Sequence, residues 1–400
     1  MTSNITAASY PDIQVNPVER LPALDWMRGF VMILMAIDHA GILNGDHLMN
    51  DSWTTYTPGT LPAAPQFLTR WIAHLCAPTF LFLSGTSLAI ALERRRMAGR
   101  TPKELNRYLL SRGLVLLALE IILVGPLLLQ VLYAIGFSMV LMIGLRRLST
   151  RTLLTIAVGI LFLSEAAVGL AIDLTGQSTE SLARALSGES SAGWFLAITP
   201  FLHPGKFTGT PLNILYSVLP WLAMMLLGWV FGRDILVRRS GTRGPKKPER
   251  VLLWGGLILL AIFLLVRGLN GYGNMFMALE GGRLLSWLHV SKYPPSISFA
   301  ALELGLMGIC LWALFVVQRT TQLLNGTRNP VVVFGQTALM FYIVHLMLFV
   351  TLPIAFGIQE SGGVAGQYIG ALIMLTGLYP FCLWYRKYKA EHPGKWVRFF

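Results

Sequence analysis

The chain is long, apolar and basic, and together these properties exclude most soluble classes of protein. It has 400 residues, of which 54% are hydrophobic and only 13% are charged. A soluble protein of this length would carry about a quarter charged residues, so the deficit indicates a polytopic membrane protein. On a soluble protein the net charge of +13 would suggest a nucleic-acid partner. In a membrane protein, excess Lys and Arg mark cytoplasmic loops, so we expect the lipid bilayer as a partner and no nucleic acid.

Ten apolar stretches are candidates for membrane-spanning helices, each of which needs roughly 20 residues. The third and fourth are short and meet at Gly125-Pro126, so nine spans is the alternative. The sequence predicts an all-α polytopic bundle of about ten transmembrane helices. The stretches lie near residues 24–44, 70–92, 111–125, 127–145, 152–174, 211–232, 251–267, 296–317, 330–352 and 365–385.

The distribution of basic residues favours ten spans with both termini in the cytoplasm. In that topology 26 of the 32 lysines and arginines fall in cytoplasmic segments, as the positive-inside rule expects. With nine spans, every loop after the merged third and fourth spans would change sides, and the excess of basic residues in the cytoplasm would be lost. The chain then divides into a cytoplasmic segment (1–22), a transmembrane domain (23–385) and a basic cytoplasmic tail (386–400).

The first span carries ionisable residues, which are costly in a bilayer and therefore candidates for function. Asp38 and His39 stand near its end, and His47 follows in the next loop. Arg28 and His39 are eleven residues apart, so they project from one helix face and are separated by roughly 16 Å along the axis. Asp25 is spaced to hold the Arg28 guanidinium by an i,i+3 pair. The alternative for Arg28 is an anchor that snorkels to the cytoplasmic interface.

Polar residues also stand at the predicted outer ends of the second and eighth spans. Arg70 and His74 are four residues apart on one helix face, where the outer half of the first span can meet them. Lys292 and Tyr293 belong to "SKYPPS", whose double proline predicts a rigid start to the eighth span. A packed, hydrogen-bonded core histidine remains the alternative for His74.

The ninth span places Tyr342 and His345 on one face, either as substrate contacts or in core packing with one inter-helix hydrogen bond. Three other spans contain Glu120, Glu165 and Glu303. Histidine suits proton transfer near neutral pH, and a neighbouring carboxylate can fix its tautomer. The sequence contains no GxSxG, Walker or GxGxxG motif, so hydrolase, ATPase and dinucleotide-binding functions lack support. The three cysteines are far apart, and we expect neither a disulfide nor a metal site.

Four segments carry a family resemblance: "LPALDWMRGFVMILMAIDHA", "LTRWIAHLCAPTFLFLSGTSLAIALERRR", "KYPPS" and "FYIVHL". They closely resemble bacterial membrane proteins classed with the heparan-alpha-glucosaminide N-acetyltransferase catalytic domain, and the resemblance covers nearly the whole chain beyond residue 20. A looser resemblance extends to membrane acyltransferases that O-acetylate surface polysaccharides and peptidoglycan. Their first span carries an Arg-Gly and a histidine eleven residues after the arginine, as do Arg28, Gly29 and His39 here.

The resemblance implies a multi-pass enzyme of the bacterial cytoplasmic (inner) membrane that transfers acetyl groups across the bilayer. Acetyl-CoA would be the cytoplasmic donor, bound by Arg28 with Asp25, and the acceptor would be an amine or hydroxyl of a glycan outside. Catalysis would fall to His39, His47 and Asp38. In the human lysosomal enzyme an asparagine matches His39 and the catalytic histidine comes later, so His39 and His47 both stay candidates for the base. The implied substrate contacts are Arg70, His74, Lys292, Tyr293, Tyr342 and His345.

Two other functions stay open, as does the mechanism. A proton-coupled transporter or flippase of an envelope precursor would use Glu120, Glu165 and Glu303 as a relay, although no internal repeat supports it. A non-catalytic scaffold would not need His39 and Arg28 on one face. In an enzyme, the base could act directly or through an acetyl-histidine, and a homodimer is a candidate assembly.

Overall fold

A computed structural model of the protein shows a bundle of long α-helices. Helices α1 to α6 are Pro22–His39, Ala64–Ala73, Cys76–Met97, Pro102–Leu123, Val131–Leu145 and Thr150–Thr175. Helices α7 to α13 are Val218–Arg239, Glu249–Leu269, Leu284–Leu288, Ile297–Thr320, Pro330–Gln336, Ala338–Phe356 and Gly363–Glu391. The structure describes residues 21–44, 50–53, 55–124, 128–175, 205–206, 213–239, 249–281, 284–321 and 326–392.

Eight helical segments of the described chain are long and apolar enough to cross a membrane. They are α1 with the 3-10 turn Ala40–Leu43, α2 with α3, α6, α7, α8, α10, α12 and α13. Helix α5 is apolar but has only 15 residues, and α4 has 22 residues but carries five charged ones. These two helices pack against each other. A helix occupies the place of every predicted span. The predicted all-α polytopic fold is confirmed.

Two helices begin or break where the hydropathy pattern gave no signal. The predicted third span begins at residue 111, but α4 already begins at Pro102, within the predicted cytoplasmic loop 93–112. A capping box explains the early start, because the side chains of Thr101 and Glu104 each accept a hydrogen bond from the other residue's backbone N–H. The predicted second span is interrupted between α2 and α3 at His74. Pro78 has no N–H to donate to the His74 carbonyl, so the helix breaks there.

Glycines allow two pairs of helices to cross with their backbones in contact. A Cβ on Gly29 of α1 would overlap the carbonyl oxygen of Val331, and one on Gly335 would overlap that of Asp25. Helices α3 and α7 cross in the same way, where a Cβ on Gly228 would overlap the carbonyl oxygen of Phe82. Small residues permit such close approach between membrane helices. The crossing of α1 and α11 places one half of α1 next to the start of α12. This is the half of the first span that is predicted to face the cytoplasm.

The remaining helices surround this centre and turn apolar faces outward. The core lies around α3 and α7, where Trp221, Met224 and Leu81 are fully buried. Helices α8 and α13 bury little of their length, as expected for helices that face lipid. A minor sheet joins β1 (Leu128–Leu129), β2 (Gly205–Lys206) and β3 (Asn213–Ile214). Strand β3 lies in the middle, parallel to β1 and antiparallel to β2.

Candidate active site

The last residue of α1 forms a histidine pair with α12. Nδ1 of His39 lies 2.9 Å from Nε2 of His345. The two rings are stacked, with centroids 5.0 Å apart and planes within 5°. His345 is fully buried, whereas His39 is partly exposed. The pair therefore has one side enclosed by protein and one side that another molecule could approach.

Hydrogen-bond partners fix the neutral tautomers of this pair. Nδ1 of His345 lies 2.8 Å from the carbonyl oxygen of Phe341, which can only accept, so this nitrogen carries the proton. Nε2 of His345 is then the acceptor, and Nδ1 of His39 must donate to it. The second nitrogen of His39, Nε2, keeps its lone pair and makes no hydrogen bond within the described part of the chain. The arrangement leaves one imidazole nitrogen able to take a proton.

Next to the pair, one arginine joins two carboxylates from different segments. Arg70 donates to both oxygens of Asp38 at 2.7 and 2.8 Å, and to Asp51 at 3.0 Å. His74 completes the network, because its Nε2 lies 3.1 Å from Asp51. Burial would raise the pKa of Asp51, but Arg70 and the His74 hydrogen bond outweigh burial and hold that pKa well below its ordinary value. The predicted meeting of the first two spans at Arg70 and His74 is therefore present in the structure.

The segment before α10 closes the same side of the site. Lys292 and Tyr293 are buried, and the Lys292 ammonium lies 5.1 Å from the centre of the Tyr293 ring. Their backbone N–H groups donate to the carbonyl of Asp51 at 2.8 and 3.2 Å, which ties this segment to the first outer loop. The Tyr293 hydroxyl donates to that of Tyr216 at 3.2 Å. Burial raises the pKa of Tyr293 above its ordinary value, so the phenol stays protonated.

The other end of α1 holds a second polar group around Arg28. The guanidinium donates to Asp25 at 2.9 Å, as the i,i+3 spacing predicted, and to the Ser87 hydroxyl at 3.0 Å. A cavity of about 350 Å³ opens beside it. Arg112, Lys389 and Tyr108 line the cavity with Arg28, and the rest of its lining is mostly apolar. A mostly apolar pocket with a few polar groups is typical of a ligand site.

The cavity leads from Arg28 towards the histidine pair. Met32 on α1 and Tyr342 on α12 both line it. Tyr342 stands three residues before His345, and their ring centroids are 5.7 Å apart. One helical turn, about 5 Å, therefore separates this end of the cavity from the pair. Arg28 and Met32 of α1 thus line the cavity, whereas His39 and His345 are not among its lining residues.

The structure sorts the remaining predicted residues into several groups. His47 lies outside the described residues, so its place beside His39 stays a prediction. Glu165 accepts backbone N–H groups of residues 273 and 275, and Glu120 accepts that of residue 130, so both stabilise local structure. Glu303 is buried, within electrostatic range of Lys292. In the described chain, no group of three or more His, Cys, Asp or Glu residues is placed to hold a metal ion.

Asp51 is the main site residue that the sequence analysis missed. It lies in a loop, where an acidic residue is ordinary, yet it is only 3% exposed and joins Arg70 to His74. His345 was expected either as a substrate contact or as a packed residue with one inter-helix hydrogen bond, and it bonds His39 directly. No one-dimensional pattern gave either contact, because residues 39 and 345 are more than 300 positions apart. The signal that was available was the rarity of each histidine within an apolar span.

Fold and site define a class: a polytopic helical membrane protein with a buried histidine pair, a charged network beside it and a basic cavity at the other end of the same helix. The profile of one family, heparan-alpha-glucosaminide N-acetyltransferase, catalytic, matches residues 20–268. The chain belongs to this family of membrane transferases. The match ends at residue 268, so it covers Arg28, His39 and the Arg70 network but not His345. No curated protein sequence matches the chain significantly.

Proposed function

We propose that the protein transfers acetyl groups from cytoplasmic acetyl-CoA to an amine or hydroxyl of a glycan on the other side of a bacterial cytoplasmic membrane. One observation carries the proposal. A cavity begins at basic residues that charge asymmetry assigns to the cytoplasm, and Tyr342 in its lining stands one helical turn before His345, the partner of the histidine with a free nitrogen. Family membership supports the same class of reaction.

The basic end of the cavity suits the phosphates of acetyl-CoA. Arg28, Arg112 and Lys389 bring positive charge to one mouth, and a guanidinium can bind a phosphate through two parallel hydrogen bonds. Asp25 orients Arg28 without burying it, since both side chains are about one-fifth exposed. The rest of the cavity lining is mostly apolar, which suits the uncharged arm of acetyl-CoA that carries the thioester. Acetyl-CoA would then lie along α1, with its acetyl group towards His39.

At the other end, His39 would act as general base. Its Nε2 takes the proton of the acceptor, and the imidazolium that forms keeps its Nδ1–H bond to His345. Asp38, the residue before His39, is held by Arg70 and supplies negative charge nearby. The acceptor nitrogen or oxygen bonds to the thioester carbon, the carbon–sulfur bond breaks, and CoA leaves as its thiolate. Arg70, Lys292 and His74 line the outer side, where the acceptor would bind.

Transport has no comparable support. The relay would need Glu120, Glu165 and Glu303 to exchange protons, but the carboxylates of Glu120 and Glu165 accept backbone N–H groups. Carboxylates held in this way stabilise local structure, which leaves Glu303 alone of the three for a relay. We therefore keep acetyl transfer as the proposed function.

The test is acetyl transfer by purified protein in proteoliposomes, with labelled acetyl-CoA on one face and amino sugars or oligosaccharides on the other. We expect His39→Ala to lower the rate by about 10²- to 10⁴-fold, the usual effect of losing a general base, while acetyl-CoA still binds. His47→Ala should lose much less. His392→Ala is the matched control, because this histidine caps the end of α13 and is not among the residues that line the cavity.

Each result has a distinct meaning. If His47→Ala is inactive and His39→Ala keeps near-normal turnover, the base is His47 and the assignment made from the tautomers is wrong. If the sugar crosses the membrane without becoming acetylated, the protein is a transporter. If the His392→Ala control is also inactive, loss of a histidine acts through folding and not through proton transfer.

A further inference from the structure

The Tyr342 hydroxyl is buried and stabilises no contact that the structure shows. The residue is 5% exposed, and its oxygen finds no hydrogen-bond partner among the residues that the structure describes. A buried hydroxyl without a partner costs free energy, commonly more than a hydrogen bond returns. Such a group in a native protein calls for an explanation, and a ligand that is absent from the structure is one of the few available.

The place of this hydroxyl suggests what the ligand offers. Tyr342 lines the cavity that begins at Arg28, and its ring makes an edge contact with His345, 5.7 Å between centroids. His345 in turn holds His39. A group that bonds Tyr342 would therefore lie between the basic mouth and the histidine pair, where the proposed function puts the thioester of the acyl donor. The acceptor atom nearest the reaction in a thioester is its carbonyl oxygen.

We propose that the Tyr342 hydroxyl donates a hydrogen bond to the carbonyl oxygen of the bound acyl thioester and to the oxyanion that forms from it. As the acceptor bonds to the carbonyl carbon, the C=O electron pair moves to oxygen, where Tyr342 stabilises it. The pair returns when the carbon–sulfur bond breaks and the CoA thiolate leaves, while the acceptor's proton stays on His39. The Tyr342 hydroxyl would donate the same hydrogen bond if His39 itself first takes the acetyl group. This inference rests on the proposed function.

One structural alternative is a bond from Tyr342 to Glu120. Glu120 lies close enough to interact electrostatically with Tyr342, and one of its oxygens has no hydrogen-bond partner in the described chain. The two groups are nevertheless not bonded to each other. If they did bond in the membrane, removing the hydroxyl would cost stability and leave catalysis intact. The two explanations therefore predict opposite results for a single variant.

The test compares Tyr342→Phe with Tyr385→Phe, which removes another unpartnered hydroxyl from a tyrosine that is 2% exposed and does not line the cavity. Tyr342→Phe should lower kcat by about 10²- to 10³-fold, as loss of an oxyanion donor does, with little change in KM for the glycan and in Tm. Tyr385→Phe should leave kcat and Tm near the wild-type values.

A binding measurement gives a readout that needs no turnover. Wild-type protein should bind acetyl-CoA about 5- to 10-fold more tightly than S-ethyl-CoA, which lacks the carbonyl, and Tyr342→Phe should lose this preference. If Tyr342→Phe keeps the wild-type preference for acetyl-CoA, with normal turnover or a lowered Tm, the role of Tyr342 is overturned and the proposed function stands. Failure of wild-type protein to bind either thioester or thioether overturns the proposed function, and this inference with it.

Discussion

Arg70 connects three consecutive parts of the chain: the end of α1, the loop after it and the end of α2. It holds Asp38 at the end of α1 and Asp51 in the loop, and Asp51 in turn binds His74. The Arg70 side chain is one-third exposed, whereas that of Asp51 is nearly buried. Removing the buried member of such a charge network lowers stability more than removing an exposed one. The groups that were bonded to the buried residue lose a bond that water cannot replace. Asp51 is therefore the residue on which the outer wall of the site depends most.

We expect Asp51→Asn to lower the free energy of unfolding by about 1–3 kcal/mol, since the amide keeps the shape but loses the charge that binds Arg70 and His74. The pKa of Asp51 is lowered in the folded protein, so its contribution is present above the ordinary carboxyl range, near pH 4, and is lost in stronger acid. Thermal unfolding in detergent should show a constant difference from wild type between pH 8 and pH 5. Glu93→Gln, which breaks an i,i+3 surface pair, should change stability by less than about 1 kcal/mol. A similar loss in both variants would contradict the prediction.

Contacts within one helix could be predicted from sequence, and contacts between distant segments could not. The pair of Asp25 and Arg28 follows from their spacing and is observed at 2.9 Å. The approach of Arg70 to the first span followed from the assumption that adjacent spans meet at their outer ends. His39 with His345, and Asp51 with Arg70, join residues whose proximity depends on how the helices pack. A single sequence carries no signal for that packing.

At the scale of elements, backbone contact between helices sets the geometry of the site. Helix α3 packs most extensively on α7, and Gly228 allows the two backbones to touch at Phe82. Helix α1 meets α11 in the same way at Gly29 and Gly335. A side chain at such a position would push the helices apart and shift every residue that they carry. Glycine is therefore required at these crossings for steric reasons.

Gly228→Ala should lower stability by about 1–3 kcal/mol, the usual cost of an overpacked core, because the new Cβ would overlap the carbonyl oxygen of Phe82. Gly159→Ala is the matched control on α6, where a Cβ would meet no atom within 4 Å. Alanine there should be neutral or slightly stabilising, since it favours a helix over glycine. The measurement is the thermal unfolding of the two purified variants, each compared with wild type. Equal stability would show that α7 can move away from α3 without cost.

Hydropathy predicted where helices lie but not how they begin, break or end. The pattern located all ten helical positions, because each needs a long apolar run. It missed the start of α4 at Pro102, which a local capping box determines within a polar segment. It also missed the break between α2 and α3, although Pro78 was visible, because an averaged window does not register one lost hydrogen bond. The break between α2 and α3 matters for the candidate site, since it places His74 beside Asp51.

For the molecule as a whole, the direction of the proposed acetyl transfer depends on which end of α1 faces the cytoplasm. The orientation of α1 follows from charge, since 26 of 32 basic residues fall on the side assigned to the cytoplasm. That side includes the basic mouth of the cavity, where a cytoplasmic donor would enter. Reversing the topology would put the cavity mouth outside and remove its access to acetyl-CoA.

Cysteine labelling in intact cells tests this orientation directly. Single cysteines would be introduced at Ala98, at the end of α3, and at Thr57, in the first outer loop, both of which are exposed. The background would carry Cys310→Ser, because Cys310 is exposed whereas Cys76 and Cys382 are buried. A membrane-impermeant maleimide should label the Thr57→Cys protein in intact cells and the Ala98→Cys protein only after permeabilisation. The positive-inside rule requires this result, because Ala98 lies among the arginines of "ERRRMAGR". Labelling of Ala98→Cys from outside would reverse the topology, and with it the proposed direction of acetyl transfer.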